Sequence, residues 1–147
     1  MKQRLRADLT TAMKARDELR TATLRMVLTA VSAEEVSGAR ARDLTDDDVQ
    51  AVLRREAKKR REAAEAFAGA GRTEQAARER AEGEVLAHYL PAQLDDADLA
   101  AMVADAVTAT GASGMRDMGR VMGVVQAAVA GRADGGRVAA EVRRQLG

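Results

Sequence analysis

GASGMRDMGRVMGVVQAAVAGRADGGRVAAEVRRQL, from Gly111 to Leu146, decides the reading of this chain. It holds two helices with their punctuation, expected over Met115–Ala130 and Gly135–Leu146, and Ser113 and Asp134 stand where helix caps belong. No side chain suited to catalysis lies among these residues, so the stretch reads as a recognition module. Gly119 and Gly123 sit inside the first of the two helices, where each costs about 1 kcal/mol relative to alanine. Two explanations compete for that cost. A glycine pair on one face lets a neighbouring helix cross closely, and packing logic favours this reading. Alternatively the bare face, with Met118 and Met122 beside it, receives a ligand backbone or a partner helix.

Outward from this stretch, apolar residues recur at three and four rather than alternating, and alanine, leucine, glutamate and arginine dominate. An all-α fold is therefore expected. Leu5, Leu9 and Met13 mark a first helix, and Ala15 to Asp17 turn the chain into a second, which stops near Ser37 with Gly38 as its cap. Thr45 followed by Asp46, Asp47 and Asp48 starts a third helix that reaches about Ala68. These aspartates lack the alternating oxygen ligands and glycine turn of a calcium loop. After a break at Gly69 to Gly71, Thr73 caps a fourth helix reaching Leu90, and Pro91 closes it. Asp95 caps a fifth, over Asp96–Thr110. The expected organisation is an N-terminal domain of about four helices over residues 1–93 and a C-terminal three-helix domain over 94–147, the latter marginal without a docking partner.

Composition narrows the chemistry. The chain of 147 residues has no cysteine, which removes disulfides, thiolate metal sites and a cysteine nucleophile together. The segment MKQRLRADL places charges where a signal peptide needs an apolar stretch, and no long uncharged apolar run follows, so a cytoplasmic protein without a membrane segment is expected. The formal net charge is only +1, so affinity for nucleic acid must come from local clusters. One Phe, one Tyr and no Trp leave almost nothing on which bases could stack.

Two clusters stand out. Arg54, Arg55, Lys58, Lys59, Arg60 and Arg61 gather six cations around a single carboxylate, Glu56. At about 100° per residue, Arg54, Lys58 and Arg61 form one stripe with Arg55 and Lys59 beside it. The stripe suits either a phosphate backbone or a solvated face laced by pairs such as Lys58 or Lys59 with Glu62. Arg60 falls on the apolar arc with Val49, Val52, Leu53 and Phe67, where a guanidinium needs a carboxylate from another helix, with Glu34 or Glu35 the nearest guess. The second cluster comprises the tail arginines Arg116, Arg120, Arg132, Arg137, Arg143 and Arg144, against Asp117, Asp134 and Glu141. Arg54, Arg55, Lys58, Lys59, Arg61, Arg116, Arg120, Arg132 and Arg137 are the candidate nucleic-acid contacts. His88 has no serine or cysteine signature beside it, and GRADGGRV lacks the lysine of a nucleotide-binding loop. No catalytic residue, metal ligand or cofactor site is nominated.

DMGRVMGVV from Asp117 and GRADGGRVAAEVRRQL from Gly131, together with RREAKKRREAAEAF from Arg54 and HYLPAQLDDADL from His88, resemble the three signature stretches of the GatB/YqeY family, in the same order. The length is that of its stand-alone members. The resemblance implies a helical fold and a module related to the tail of the amidotransferase B subunit, which contacts the body of tRNA. Partners of the aminoacyl-tRNA pathway are implied too. The family carries the label of a carbon-nitrogen ligase with glutamine as amido donor, a reaction for which these residues offer no phosphate cradle or amidase nucleophile. The expected function is that of a non-catalytic tRNA-binding accessory module. A helical protein-interaction module and a ligase component are the alternatives.

Overall fold

A computed structural model describes residues 1–147 and contains seven α-helices, one 3-10 turn and no strand. The chain divides into two compact units, Met1–Leu90 and Pro91–Gly147.

In the first unit, α1 (Lys2–Lys14) pairs with α2 (Glu18–Glu35) and α3 (Asp46–Gly69) pairs with α4 (Thr73–Ala87), while α2 also packs on α3 and α4. Leu5, Leu24, Val27, Val31, Val49, Leu53 and Leu86 are fully buried where the helices meet. Burying a side chain of this size is worth roughly 1.5–3 kcal/mol, which is what assembles helices whose outer faces are so heavily charged. The turn between α1 and α2 is tight enough to place Arg16 at φ +55°, and the Asp17 carboxylate then accepts from Arg20 N at 3.0 Å to start α2.

Gly38 does not cap α2. The helix ends two residues earlier, where Val36 N and Ser37 N donate to Ala33 O and Glu34 O, three residues back in each case. These 3-10 bonds satisfy the last carbonyls, so no left-handed residue is required. Thr45 caps α3 in a reciprocal box: Asp48 N donates to Thr45 Oγ1 at 3.2 Å and Thr45 N to the Asp48 carboxylate at 3.0 Å. Beyond α3, Gly71 adopts the left-handed φ of +73° that lets Arg72 N reach Phe67 O at 2.8 Å. Thr73 is the first helical residue of α4 rather than its cap, since the capping position belongs to Arg72. This helix closes at Ala87, short of the expected Leu90, because Tyr89 N and Leu90 N tighten into 3-10 bonds before Pro91.

Two polar contacts fasten the unit. Arg60 reaches α4, not the end of α2: Nη1 lies 3.2 Å from Glu79 Oε2 and 3.5 Å from Glu82 Oε2, with Glu56 at 3.7 Å and Met26 Sδ against Nη2. Glu34 instead takes Arg55 at 2.7 Å, and Glu35 takes Lys2. Tyr89 is buried, donates its hydroxyl to Asp8 of α1, and carries Arg4 over its ring at 4.8 Å. Burial first, and the bond to the Asp8 carboxylate second, push the phenol up to about 12.

The second unit joins α5 (Asp96–Thr110), a 3-10 turn (Met115–Asp117), α6 (Met118–Val129) and α7 (Gly135–Leu146) around Leu99, Val103, Val121, Val125, Val129, Val138 and Val142. Asp95 caps α5 through Asp98 N at 2.7 Å, and Asp134 caps α7 through Gly136 N at 2.7 Å and Arg137 N at 3.1 Å. Ser113 is not the cap of the next helix. Its own N–H donates to the Asp117 carboxylate at 3.0 Å, and the chain enters α6 through the 3-10 turn. Ala130, at φ +48°, and Gly131, at φ +79°, turn the chain out of α6. Leu94 N to Arg132 O at 2.8 Å and Gln145 Nε2 to Ala100 O at 2.9 Å fasten the two ends of the unit to its middle.

Two outcomes are expected. Arg60→Ala strands Glu79, leaves the shielded Glu56 and Glu82 with only Lys59 and Arg78, and lowers stability by roughly 2–4 kcal/mol, measured by urea denaturation. A loss under about 0.5 kcal/mol would show that the cluster holds nothing. Tyr89 is the only tyrosine, so ultraviolet titration reads it alone. Its midpoint should lie near 12 rather than 10. Because the folded state holds that proton more tightly than the unfolded chain, the stability it contributes is whole below pH 10 and is lost as pH rises through about 12.

Candidate nucleic-acid interface

The glycine pair of α6 faces outward. Gly119 and Gly123 are exposed, and a Cβ added to either would meet no atom within 4 Å. Close helix crossing is thereby overturned: the faces that cross α5 and α7 are built by Val121, Val125 and Val129, which point the other way. Met118 and Met122 are half-buried against that core, so of the four residues of the expected partner face only the glycines stand free of it.

The outward arc of α6 is unusual for a solvated helix. Gly123, Val124, Ala127 and Ala128 are exposed on it, Val124 at 43%, Arg120 is the one charged residue of the helix and Gln126 its other exposed polar one, and Met115, 47% exposed, precedes it in the 3-10 turn. An outer helix face normally carries charged and polar side chains. Here the backbone lies bare, flanked by arginines.

Those arginines divide by what they touch. Arg120 donates to Asp117 Oδ1 at 2.6 Å and to Thr110 O at 3.2 Å, tying α6 to the end of α5. The amide of Ser113, with the guanidinium of Arg120 second, holds the Asp117 carboxyl below the usual range. Arg137 donates to Leu94 O at 3.0 Å and Asp96 Oδ1 at 2.9 Å. Arg144 grips Glu141 through two bonds, at 2.6 and 2.9 Å, which brings that carboxyl down to about 2. Arg116 and Arg143 are exposed and form no ion pair, and Arg132 makes only a long bond of 3.4 Å to Ala92 O.

On α3 the expected phosphate stripe is largely neutralised by its own neighbours. Arg55 pairs with Glu34 at 2.7 Å, Lys59 with Glu56 at 2.8 Å and Lys58 with Glu62 at 3.8 Å, while Arg54 is half-buried without an ion pair. Arg61 is exposed on the same arc. His88 is an exposed residue at the end of α4. No three His, Cys, Asp or Glu side chains are grouped to hold a metal ion, and no helix is long and apolar enough to cross a membrane. In GRADGGRV the first amides of α7 are taken by the Asp134 carboxylate, which occupies the place a phosphate would need.

Sequence reasoning offers the open face of α6 only as the alternative to close crossing, and it leaves Arg143 out of the candidate contacts. The first had a visible signal, since twelve residues carrying one charge and two glycines leave too little polar surface for a full solvent face. The second had none, because pairing depends on which carboxylates tertiary structure brings near.

No curated protein matches the chain. The family model described as Yqey-like protein matches residues 2–146. With that match running over nearly its whole length, the chain belongs to the Yqey-like protein family.

Proposed function

We propose that the C-terminal unit docks on a structured RNA, with the body of tRNA as the first candidate, and that the protein is a non-catalytic accessory module related to the tail of the tRNA-dependent amidotransferase B subunit. The observation that carries this reading is the outward glycine pair. Its helix cost is offset by nothing inside the chain, and its missing side chains let another backbone approach α6 closely. Arginines near both ends of that helix supply two-pronged donors for phosphate. With one Phe and one Tyr in the chain, recognition rests on shape and phosphate contacts rather than base stacking. The shallow minor groove of an A-form helix suits a smooth helix face. The paired cations of α3 contribute at most a secondary attraction.

A second reading places a protein partner of the aminoacyl-tRNA pathway on the same face, and the exposed Met115 and Val124 favour it. The ligase label of the larger enzyme is not carried over, because the proposal assigns bond-making to other proteins.

Labelled tRNA followed by fluorescence anisotropy tests the first reading. With roughly four or five phosphates neutralised, log affinity should fall with log salt at a slope of about −3 to −4.5. A flat response would contradict RNA docking. The glycines give a sharper criterion. Gly119→Ala and Gly123→Ala should each stabilise the fold by about 0.5–1 kcal/mol in a thermal melt while weakening tRNA binding severalfold. Stabilised variants that bind tRNA undiminished would remove the glycine pair from the interface, and a partner that survives nuclease treatment would shift the assignment to the protein reading.

A further inference from the structure

We infer that the arginines of the C-terminal unit are split into a fastening set and a docking set, and that of these six only Arg116, Arg132 and Arg143 neutralise phosphates of the bound polyanion. The inference rests on the RNA-docking reading and names the side chains that carry it. Arg120, Arg137 and Arg144 each hold a carboxylate, at 2.6, 2.9 and 2.6 Å. A guanidinium in that state presents a neutral pair to a phosphate, which must compete with the carboxylate for the same N–H groups. Arg120 and Arg137 are further committed to the backbone carbonyls of Thr110 and Leu94. Pulling them away would loosen the start of α6 and the start of α5.

The remaining three have full charges to offer, and two of them bracket α6. Arg116 precedes α6 in the 3-10 turn, and Arg132 follows it after Ala130 and Gly131. The two therefore stand at opposite ends of a helix about 18 Å long, at 1.5 Å per residue. Arg143 sits on α7. At about 100° per residue it shares its flank with Gly136, while Val138 and Val142 turn into the core. The same helix begins beside α6's outward edge, since a side-chain carbon at Gly135 would touch Gln126 Nε2 at 3.8 Å. Two unpaired cations thus stand at the ends of α6's bare face, and a third is exposed on the helix that follows it. Arg143 becomes a docking residue, whereas Arg120 and Arg137 move from candidate contacts to supports of the fold.

Two variants of equal charge loss separate the sets: R116Q/R132Q/R143Q and R120Q/R137Q/R144Q. Both are measured with labelled bulk tRNA over a salt series, and both are melted. The first variant should lose about 2 to 3 from the magnitude of the salt slope, at roughly 0.7–0.9 per contact, with an unchanged melting temperature. The second should melt several degrees lower and keep the native slope. If the first keeps its slope the inference is overturned, and this holds even where the second variant melts below the assay temperature. Loss of slope by the second variant alone overturns it as well. A native protein with no salt dependence would instead defeat the RNA reading on which the inference stands.

Discussion

A glycine inside a solvent-facing helix gives up about 1 kcal/mol relative to alanine, and at Gly119 and Gly123 no packing within the chain compensates for it. Everything proposed for this protein follows from that unrecovered cost. The hydrophobic half of α6 is complete without the glycines, because Val121, Val125 and Val129 already close the core against α5 and α7. The other half exposes backbone, small side chains and Val124, with Arg120 and Gln126 its polar residues, in a unit of 57 residues that can ill spare stability. A contact made from outside is the physical explanation the proposal supplies.

Charge is partly answered inside each unit. In the first, Arg60 is enclosed by Glu56, Glu79 and Glu82, and the lysines of α3 lean on glutamates of the same helix. Such pairs on an exposed helix add a few tenths of a kcal/mol each and cancel the long-range field. In the second, Arg120, Arg137 and Arg144 are bound by carboxylates, while Arg116, Arg132 and Arg143 form no ion pair.

Much of the fold was legible because helix starts are written in local chemistry. Thr45, Asp95 and Asp134 cap the helices they were expected to cap, each with its oxygen within reach of amides two or three residues on. Residue type alone misleads elsewhere. Gly38, Ser113 and Thr73 have the composition of caps, but those chain ends are closed by 3-10 bonds, by the Asp117 carboxylate and by a cap one residue earlier. The apolar arc of α3 shows that Arg60 needs a carboxylate from another helix, yet which helix supplies it depends on how α2, α3 and α4 pack, and no local pattern encodes that. The glycine pair shows the same limit: spacing says that two glycines share a face, and only the tertiary arrangement says that the face is open.

The account is tested most directly by the amide resonances of the glycines in a 15N–1H spectrum recorded during titration with tRNA. Gly119 and Gly123 should shift or broaden at the stoichiometric point, while Gly38 and Gly71 of the N-terminal unit stay in place. Saturating tRNA that leaves both α6 glycines unmoved would contradict the account.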